Sequence, residues 1–150
     1  MQFFPSPDGQ HIAIRLDTDD LLLESIAQVC READIKTGAI VAGYGALKFL
    51  HIHVGTVDHY PPQNKYLKWL APLEICSLTG IIADHEPHIH ISAGNEEKML
   101  GGHLEPGTVV LYLCEIMIRR LDDMSLTRQP DEHGLNVLQS GRPPREVQEA

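Results

Sequence analysis

Apolar residues recur at two different spacings along this chain, and each spacing predicts a different element. Leu22, Ile26, Val29 and Cys30 lie one or two helical turns apart, which predicts a single amphipathic helix. Residues 18–20, Thr-Asp-Asp, precede this stripe and predict an N-cap followed by negative charge near the helix N-terminus. No later segment repeats the helical spacing convincingly, so we expect one main helix.

The remaining apolar segments are typical of β-strands. We predict strands over residues 11–16, 39–46, 49–57, 73–82, 87–93, 99–104, 108–121 and 135–138, with a Pro-containing loop over residues 59–72. A parallel sheet would need a helix after each strand, and such helices are missing. The pattern therefore predicts an α+β fold with a curved, mostly antiparallel sheet and one main helix.

The length of 150 residues predicts a single domain, residues 1–150, with a core over about 10–140 and a loose tail from Ser140. The N-terminal residues do not resemble a secretory signal. The longest apolar run, Val109 to Leu113, is far short of the roughly 20 residues that cross a bilayer. Cys30, Cys76 and Cys114 are an odd number and widely spaced, which favours buried free thiols in a reducing compartment. We therefore expect a cytoplasmic protein without a membrane partner.

The charge of the chain argues against DNA binding without a partner. Twelve basic residues against 21 acidic ones give a net charge of −9. Affinity for nucleic acid comes mostly from Lys and Arg side chains that neutralise phosphates. Residues 141–143, Gly-Arg-Pro, resemble the core of an AT-hook, but the second Arg and the basic flanks of such a hook are missing. We interpret this resemblance as coincidence.

Nine histidines are unusual for this length, and three of them are spaced for a metal site. Side chains in a strand alternate between faces, so His88 and His90 share one face. A two-residue turn centred on Asn95 and Glu96 would place His103 directly opposite His88, with His90 diagonal to it. Three imidazoles with an open fourth position are typical of catalytic zinc sites. The sequence therefore predicts that these three residues bind zinc or another divalent transition metal; the alternative is an exposed polar face.

Two further features leave alternatives open. His51 and His53 form a second strand-spaced pair without an obvious partner, which favours an exposed face or a supporting role beside the metal ligands. Glu115 interrupts a strongly apolar strand, so its carboxylate must be paired or face a polar cavity. It is the one candidate catalytic residue, as a partner or proton carrier for the metal site. An ion pair with an Arg or a place at a subunit boundary explains it equally well.

Four segments, in order and spacing, resemble the motifs of the plants-and-prokaryotes-conserved (PPC) domain family: Gly43-Tyr44-Gly45-Ala46-Leu47, residues 73–80, Pro87-His88-Ile89-His90 and Gly101-Gly102-His103-Leu104. The resemblance implies an α+β subunit that assembles as a homotrimer, with the three histidines as a metal site. It also implies that the family's DNA-binding label belongs largely to the AT-hooks of the plant members. The chain departs from the family pattern at His51, His53 and Glu105.

These observations support three functional hypotheses. The first is a trimeric metal-binding protein whose site binds or transforms a small anionic or carbonyl-bearing molecule. The fold of the family is similar to that of acetolactate decarboxylase, a zinc enzyme, so an enzymatic version implies zinc-dependent lyase or decarboxylase-like chemistry by analogy of fold alone. The second is a DNA-associated regulatory protein, and the third is a trimer with a purely structural metal. Charge disfavours the second hypothesis.

Overall fold

The computed structural model describes residues 1–141, so the predicted loose tail and the Gly-Arg-Pro segment fall largely outside the described residues. Within that range the chain forms nine strands and one helix: β1 (Gln2–Pro5), β2 (His11–Asp17), α1 (Leu22–Glu32), β3 (Thr37–Gly55), β4 (Asn64–Ala83), β5 (Glu86–Gly94), β6 (Met99–Leu104), β7 (Val109–Arg120), β8 (Leu126–Pro130) and β9 (Asn136–Ser140).

Seven of the strands form one antiparallel sheet in the order β1-β2-β7-β3-β4-β5-β6. Strand β6 pairs on its second edge with β3, so strands β3, β4, β5 and β6 form a closed ring of paired strands. Strands β7, β2 and β1 extend the sheet from the other edge of β3. Strands β8 and β9 form a separate hairpin. This architecture confirms the predicted α+β class with a mostly antiparallel sheet and one helix.

Helix α1 packs its predicted apolar stripe into the core, where Leu22, Ile26, Val29 and Cys30 are all fully buried. The predicted N-cap is wrong. The helix follows Leu21 with no side-chain cap, and the carboxylate of Asp20 instead accepts the Asp17 backbone N–H at 2.8 Å and pairs with the N-terminal amine. Asp20 therefore closes the preceding turn rather than caps the first helical turn, and Asp19 pairs with Lys48.

The predicted strand boundaries need three corrections. The segments 39–46 and 49–57 belong to the single strand β3, which continues through its glycines by way of β-bulges. Strand β4 begins inside the predicted loop, at Asn64, because the prolines that suggested a loop precede it or lie where the pairing changes register. Strands β1 and β8 were not predicted. Both are short, and their residues are mostly exposed or half-buried, so neither has a strong apolar pattern.

The cysteines also differ from expectation at one position. Cys30 and Cys114 are buried free thiols, and burial raises the pKa of each to about 12. Cys76 is exposed rather than buried, because it lies on the outer face of β4. Among residues 1–141, no helix has the length and apolar character needed to span a bilayer.

Gly45 lets β3 pass close to β7 at one of the bulges. Its φ is +144°, which side chains rarely adopt, and a Cβ atom there would lie 2.6 Å from the Cα of Cys114 and closer still to the Leu113 carbonyl oxygen. Both neighbours are backbone atoms of a paired strand, so neither can move aside easily. The close packing of these two strands therefore requires glycine at position 45.

We predict that Gly45→Ala lowers the free energy of unfolding by about 2 kcal/mol or more, because it combines backbone strain with a steric clash. Gly55→Ala is the matched control on the same strand, since a Cβ atom there meets nothing within 4 Å. Urea unfolding followed by circular dichroism measures both variants. Equal stability of Gly45→Ala and Gly55→Ala would contradict this account of the β3–β7 contact.

Candidate metal centre

Alternation along three strands sends apolar residues to one side of the closed sheet and histidines to the other. The apolar residues fill the inside and are almost fully buried: Ile52, Ile89, Ile91 and Leu104. The residues that alternate with them lie on the outer face and are half-buried or exposed: His51, His53, His88, His90 and His103. The predicted shared face of His88 and His90 follows directly from this alternation.

His103 lies between two other histidines in adjacent strands. It pairs directly with His90 on β5 and with His53 on β3. The predicted register of the β5–β6 hairpin is therefore wrong by two residues: residues 95–98 form the connection, with the Asn95 N–H donating to the Lys98 carbonyl oxygen. His90 is opposite His103 and His88 is diagonal. A shift of two residues keeps every side chain on its predicted face.

The imidazole rings form one continuous cluster around His103. Its ring centroid lies 4.5 Å from that of His53, which is stacked on it, and 4.5 Å from that of His88, which meets it edge-on. The centroid of His90 lies 5.6 Å from both His103 and His88. The sequence-predicted histidines are thus brought together, and His53 joins them as a fourth.

Gly102 explains how β6 approaches β3 closely enough for this contact. A Cβ atom at residue 102 would lie 2.5 Å from the His53 carbonyl oxygen and 3.0 Å from Cγ1 of Val54. Any other residue would push β6 away from β3. The Gly-Gly-His segment therefore positions His103 by removing side-chain bulk beside it.

Glu105 adds a carboxylate to the cluster. Its Oε1 atom lies 2.5 Å from Nδ1 of His53 and 3.4 Å from Nδ1 of His103, and its side chain is only 18% exposed. The backbone N–H of Glu105 donates to the His51 carbonyl oxygen at 2.9 Å, and Thr108 Oγ1 donates to the Glu105 carbonyl oxygen at 3.3 Å. The loop after β6 thus holds this carboxylate against both imidazoles.

The tightest group of potential metal ligands differs from the predicted set. Among residues 1–141, the group whose ligand atoms all lie within 4.8 Å of one another consists of His53, His103 and Glu105. His88 and His90 adjoin His103 through their rings, but their nitrogen atoms are not gathered within that distance. His103 is common to both sets. The residues that sequence reasoning placed outside the ligands, His53 and Glu105, are two of the positions at which the chain departs from the family pattern.

The electrostatics at His88 and His103 favour the neutral imidazole, which is the form that binds metals. Partial burial, followed by the charges of His103 and Arg128, lowers the pKa of His88 to about 4. Partial burial, followed by the charge of His53, lowers the pKa of His103 as well. Among residues 1–141, Nδ1 of His103 is buried and makes no hydrogen bond, although Oε1 of Glu105 lies 3.4 Å from it. Two imidazoles held in the neutral form, beside further imidazoles and a carboxylate, fit a divalent transition metal.

Glu115, the candidate catalytic residue, lies elsewhere in the chain. Its carboxylate accepts a hydrogen bond from the Tyr44 hydroxyl group, and both residues line a cavity of about 390 Å³ beside Arg15. This cavity is on the outward face of the sheet formed by β2, β7 and β3. Within the described part of the chain, the contacts of Glu115 do not include any histidine of the cluster, and its side-chain partner is the Tyr44 hydroxyl group rather than an Arg.

A sequence model of the Plants and Prokaryotes Conserved domain matches residues 5–122. The chain belongs to this family. The matched range contains the whole histidine cluster and ends before the β8–β9 hairpin.

Solved structures with the same fold include the following three. A PPC protein from Pyrococcus horikoshii is 28% identical to this chain, with a TM-score of 0.74 over 90% of this chain and 94% of its own. A protein from Archaeoglobus fulgidus described as metal-containing is also 28% identical, with a TM-score of 0.73 over 88% of this chain and 94% of its own. A candidate DNA-binding protein from Bacteroides thetaiotaomicron is 20% identical with a TM-score of 0.79, over 93% of this chain and 99% of its own.

Curated relatives place a similar segment within a much longer protein. The bifunctional protein GlmU from two Synechococcus strains is 24% identical to this chain over 132 residues. The match covers 85% of this chain but only 20% of each relative, so the chain spans about a fifth of their length.

We predict that metal-free protein loses stability as the pH falls from about 6.5 towards about 4. Across this window His88 stays neutral in the folded state but takes up a proton when the chain unfolds, so protons favour the unfolded state. His88→Asn should flatten this part of the pH profile. Urea unfolding at several pH values measures how the free energy of unfolding changes with pH. At pH 8 His88 is neutral in both the folded and the unfolded state, so a difference between the two proteins at that pH reports a loss of packing. Identical slopes for the two proteins would contradict the prediction.

Proposed function

We propose that this protein binds one divalent transition metal per chain through the histidine cluster, with zinc as the best-matched ion, and that the centre binds a small molecule. His88, His90 and His103 are the proposed ligands. The observation that carries the proposal is the position of His103 in contact with three other imidazoles and a carboxylate. A neighbour of the same fold is described as metal-containing, which supports the same conclusion.

Glu105 has the properties of a residue that orients the ligands. A metal-binding histidine usually donates its other ring N–H to a carboxylate or carbonyl group, which fixes the ring. Oε1 of Glu105 is hydrogen-bonded to Nδ1 of His53 and lies 3.4 Å from Nδ1 of His103, a short shift away from a hydrogen bond, so the Nε2 atoms of both rings are left available. We therefore assign Glu105 and His53 the role of holding the His103 ring in place: Glu105 lies beside its Nδ1 atom, and the ring of His53 stacks on it. Direct binding by His53, His103 and Glu105 is the competing ligand set.

A bound zinc ion supplies Lewis acidity, which polarises a carbonyl oxygen or lowers the pKa of a bound water molecule. The chain's own contribution is position and environment. His88 and His103 are half-buried, and burial lowers their pKa values, so these two imidazoles place no competing positive charge beside the ion. The outward-facing cluster leaves access from solvent for a small molecule. These features support a binding or catalytic centre over a closed structural one, whose ligands complete the coordination.

We predict that purified wild-type protein retains about one zinc ion per chain after dialysis and that His103→Gln abolishes this content, because both ligand sets include His103. His90→Gln should also abolish it, whereas Glu105→Gln should weaken affinity by about 10- to 100-fold without removing the ligands. His133→Gln, in an exposed loop, is the matched control. Elemental analysis and zinc titration measure these outcomes.

Two results would change this assignment. Full zinc content in His103→Gln would contradict a metal site in this cluster. Loss of zinc in Glu105→Gln together with normal content in His90→Gln would show that His53, His103 and Glu105 are the ligands. Circular dichroism of each variant confirms that it is folded.

We also propose that the protein assembles as a homotrimer, as the family resemblance implies. The outward face of the sheet near Glu115 is unusually apolar for a surface: Phe4 is 52% exposed and Tyr44 57%, and Leu113 and Met117 lie on the same side of β7. Exposed apolar patches of this kind are typical of protein–protein contacts. Burial of this face between copies is the simplest account of its composition.

We expect sedimentation equilibrium at micromolar concentration to give three times the chain mass of 16.7 kDa. Met117→Lys should shift the protein towards monomer, because it places a charge in the apolar face. Met99→Lys is the control, since Met99 is exposed at the far end of the β5–β6 hairpin. A monomer mass for wild-type protein would refute the trimer, and an unaffected trimer in Met117→Lys would place its interface elsewhere.

A DNA-associated role is the second candidate, and the name given to the Bacteroides neighbour favours it. The net charge of −9 opposes it, because the long-range field of the chain repels phosphates. Anisotropy titrations with duplex DNA at physiological salt distinguish the two roles. Sub-micromolar, salt-sensitive binding would support the DNA-associated role.

A further inference from the structure

The β8–β9 hairpin brings an arginine to the edge of the histidine cluster. This hairpin lies beyond residues 5–122, the range that matches the family. Arg128 on β8 lines a cavity of about 340 Å³ together with His88 and His90, and Leu138 on β9 lines it too. That volume is in the range of small-molecule sites. The cavity therefore combines a permanent positive charge with two of the proposed metal ligands.

Arg128 is held in place by backbone atoms rather than by a carboxylate. Its Nη2 atom donates to the Ile81 carbonyl oxygen at 2.9 Å, and its Nη1 atom donates to the Glu86 carbonyl oxygen at 3.3 Å. No carboxylate of residues 1–141 lies within the 4.0 Å of an ion pair with Arg128, whereas Arg15 and Arg120 each have an aspartate partner. Three of the five N–H groups of the guanidinium remain available.

The environment of Arg128 gives an incoming anion a strong partner. The side chain is half-buried, and this desolvation lowers the pKa of the guanidinium group. A half-buried cation without a counter-ion gains more from an anion than an exposed one, because solvent screens the pair less. The planar guanidinium fork matches the geometry of a carboxylate.

We infer that Arg128 forms an anion subsite beside the metal centre and that the ligand is a small monocarboxylate with a second oxygen, such as a 2-oxo or 2-hydroxy acid. The carboxylate pairs with Arg128, and the second oxygen faces the histidines. In the metal-free protein a monocarboxylate is favoured over a phosphate ester, because Arg128 is the only full cation among the lining residues within 1–141, and one cation balances a single negative charge. The role of the second oxygen rests on the proposed metal site; the Arg128 subsite does not.

The test uses full-length protein in zinc-loaded and metal-free forms, titrated by calorimetry with pyruvate, its neutral methyl ester and inorganic phosphate. Arg128→Gln removes the charge and keeps an amide donor. Arg31→Gln, on the exposed C-terminal turn of α1, makes the same change in net charge at a distance from the cavity. We expect Arg128→Gln to weaken pyruvate binding at least about tenfold, through loss of a charge-assisted hydrogen-bonded pair, and Arg31→Gln to leave it unchanged.

Each outcome bears on one proposal. Equal pyruvate affinity in Arg128→Gln and Arg31→Gln, equal binding of pyruvate and its methyl ester, tighter binding of phosphate, or no binding of pyruvate to wild-type protein would overturn the subsite. Arg128-dependent binding of pyruvate to protein that takes up no zinc would sustain the subsite and refute the metal centre. If Arg128→Gln fails to fold, the comparison of pyruvate with its methyl ester in wild-type protein tests the subsite instead. Arg128→Lys keeps the positive charge but loses the planar guanidinium group, so it should bind pyruvate with intermediate affinity.

Discussion

Strand β6 hydrogen-bonds on both of its edges, to β5 and to β3, and the candidate centre depends on this double pairing. The pairing closes four strands around the apolar side chains that alternate with the histidines. Since the inner positions must be apolar, the outer positions of the same strands are free to carry polar ligands. Burial of the interior and exposure of the cluster are thus two consequences of one alternation.

The same closure sets where ligand groups can converge. His103 has a neighbour on each side only because β6 lies between two strands, and Gly102 permits the second contact. The turn that follows β6 then places Glu105 against the two Nδ1 atoms. A longer or bulkier segment at this position would separate β6 from β3, and the three proposed ligands on the β5–β6 hairpin would then lose their contact with His53.

The sequence predicted the parts of this centre that depend on local pattern. Alternation along β5 was enough to place His88 and His90 on one face. The connection to β6 is longer than predicted, but it shifts the pairing by two residues, so His103 stays on the same face. Contacts between distant segments were beyond this reasoning: His53 and Glu105 are brought together by the β3–β6 pairing, which no local spacing encodes. The departures from the family pattern at these two positions were the available signal. Arg128 was missed because β8 has no strong apolar alternation.

The most direct test of the account is an anomalous-diffraction map of crystals of zinc-loaded protein. We expect one strong zinc peak per chain, about 2.0–2.1 Å from a nitrogen of His103 and at similar distances from His88 and His90. Nδ1 of His103 should face Glu105 in that structure. A zinc peak remote from His103, or no peak in crystals grown with excess zinc, would contradict the account.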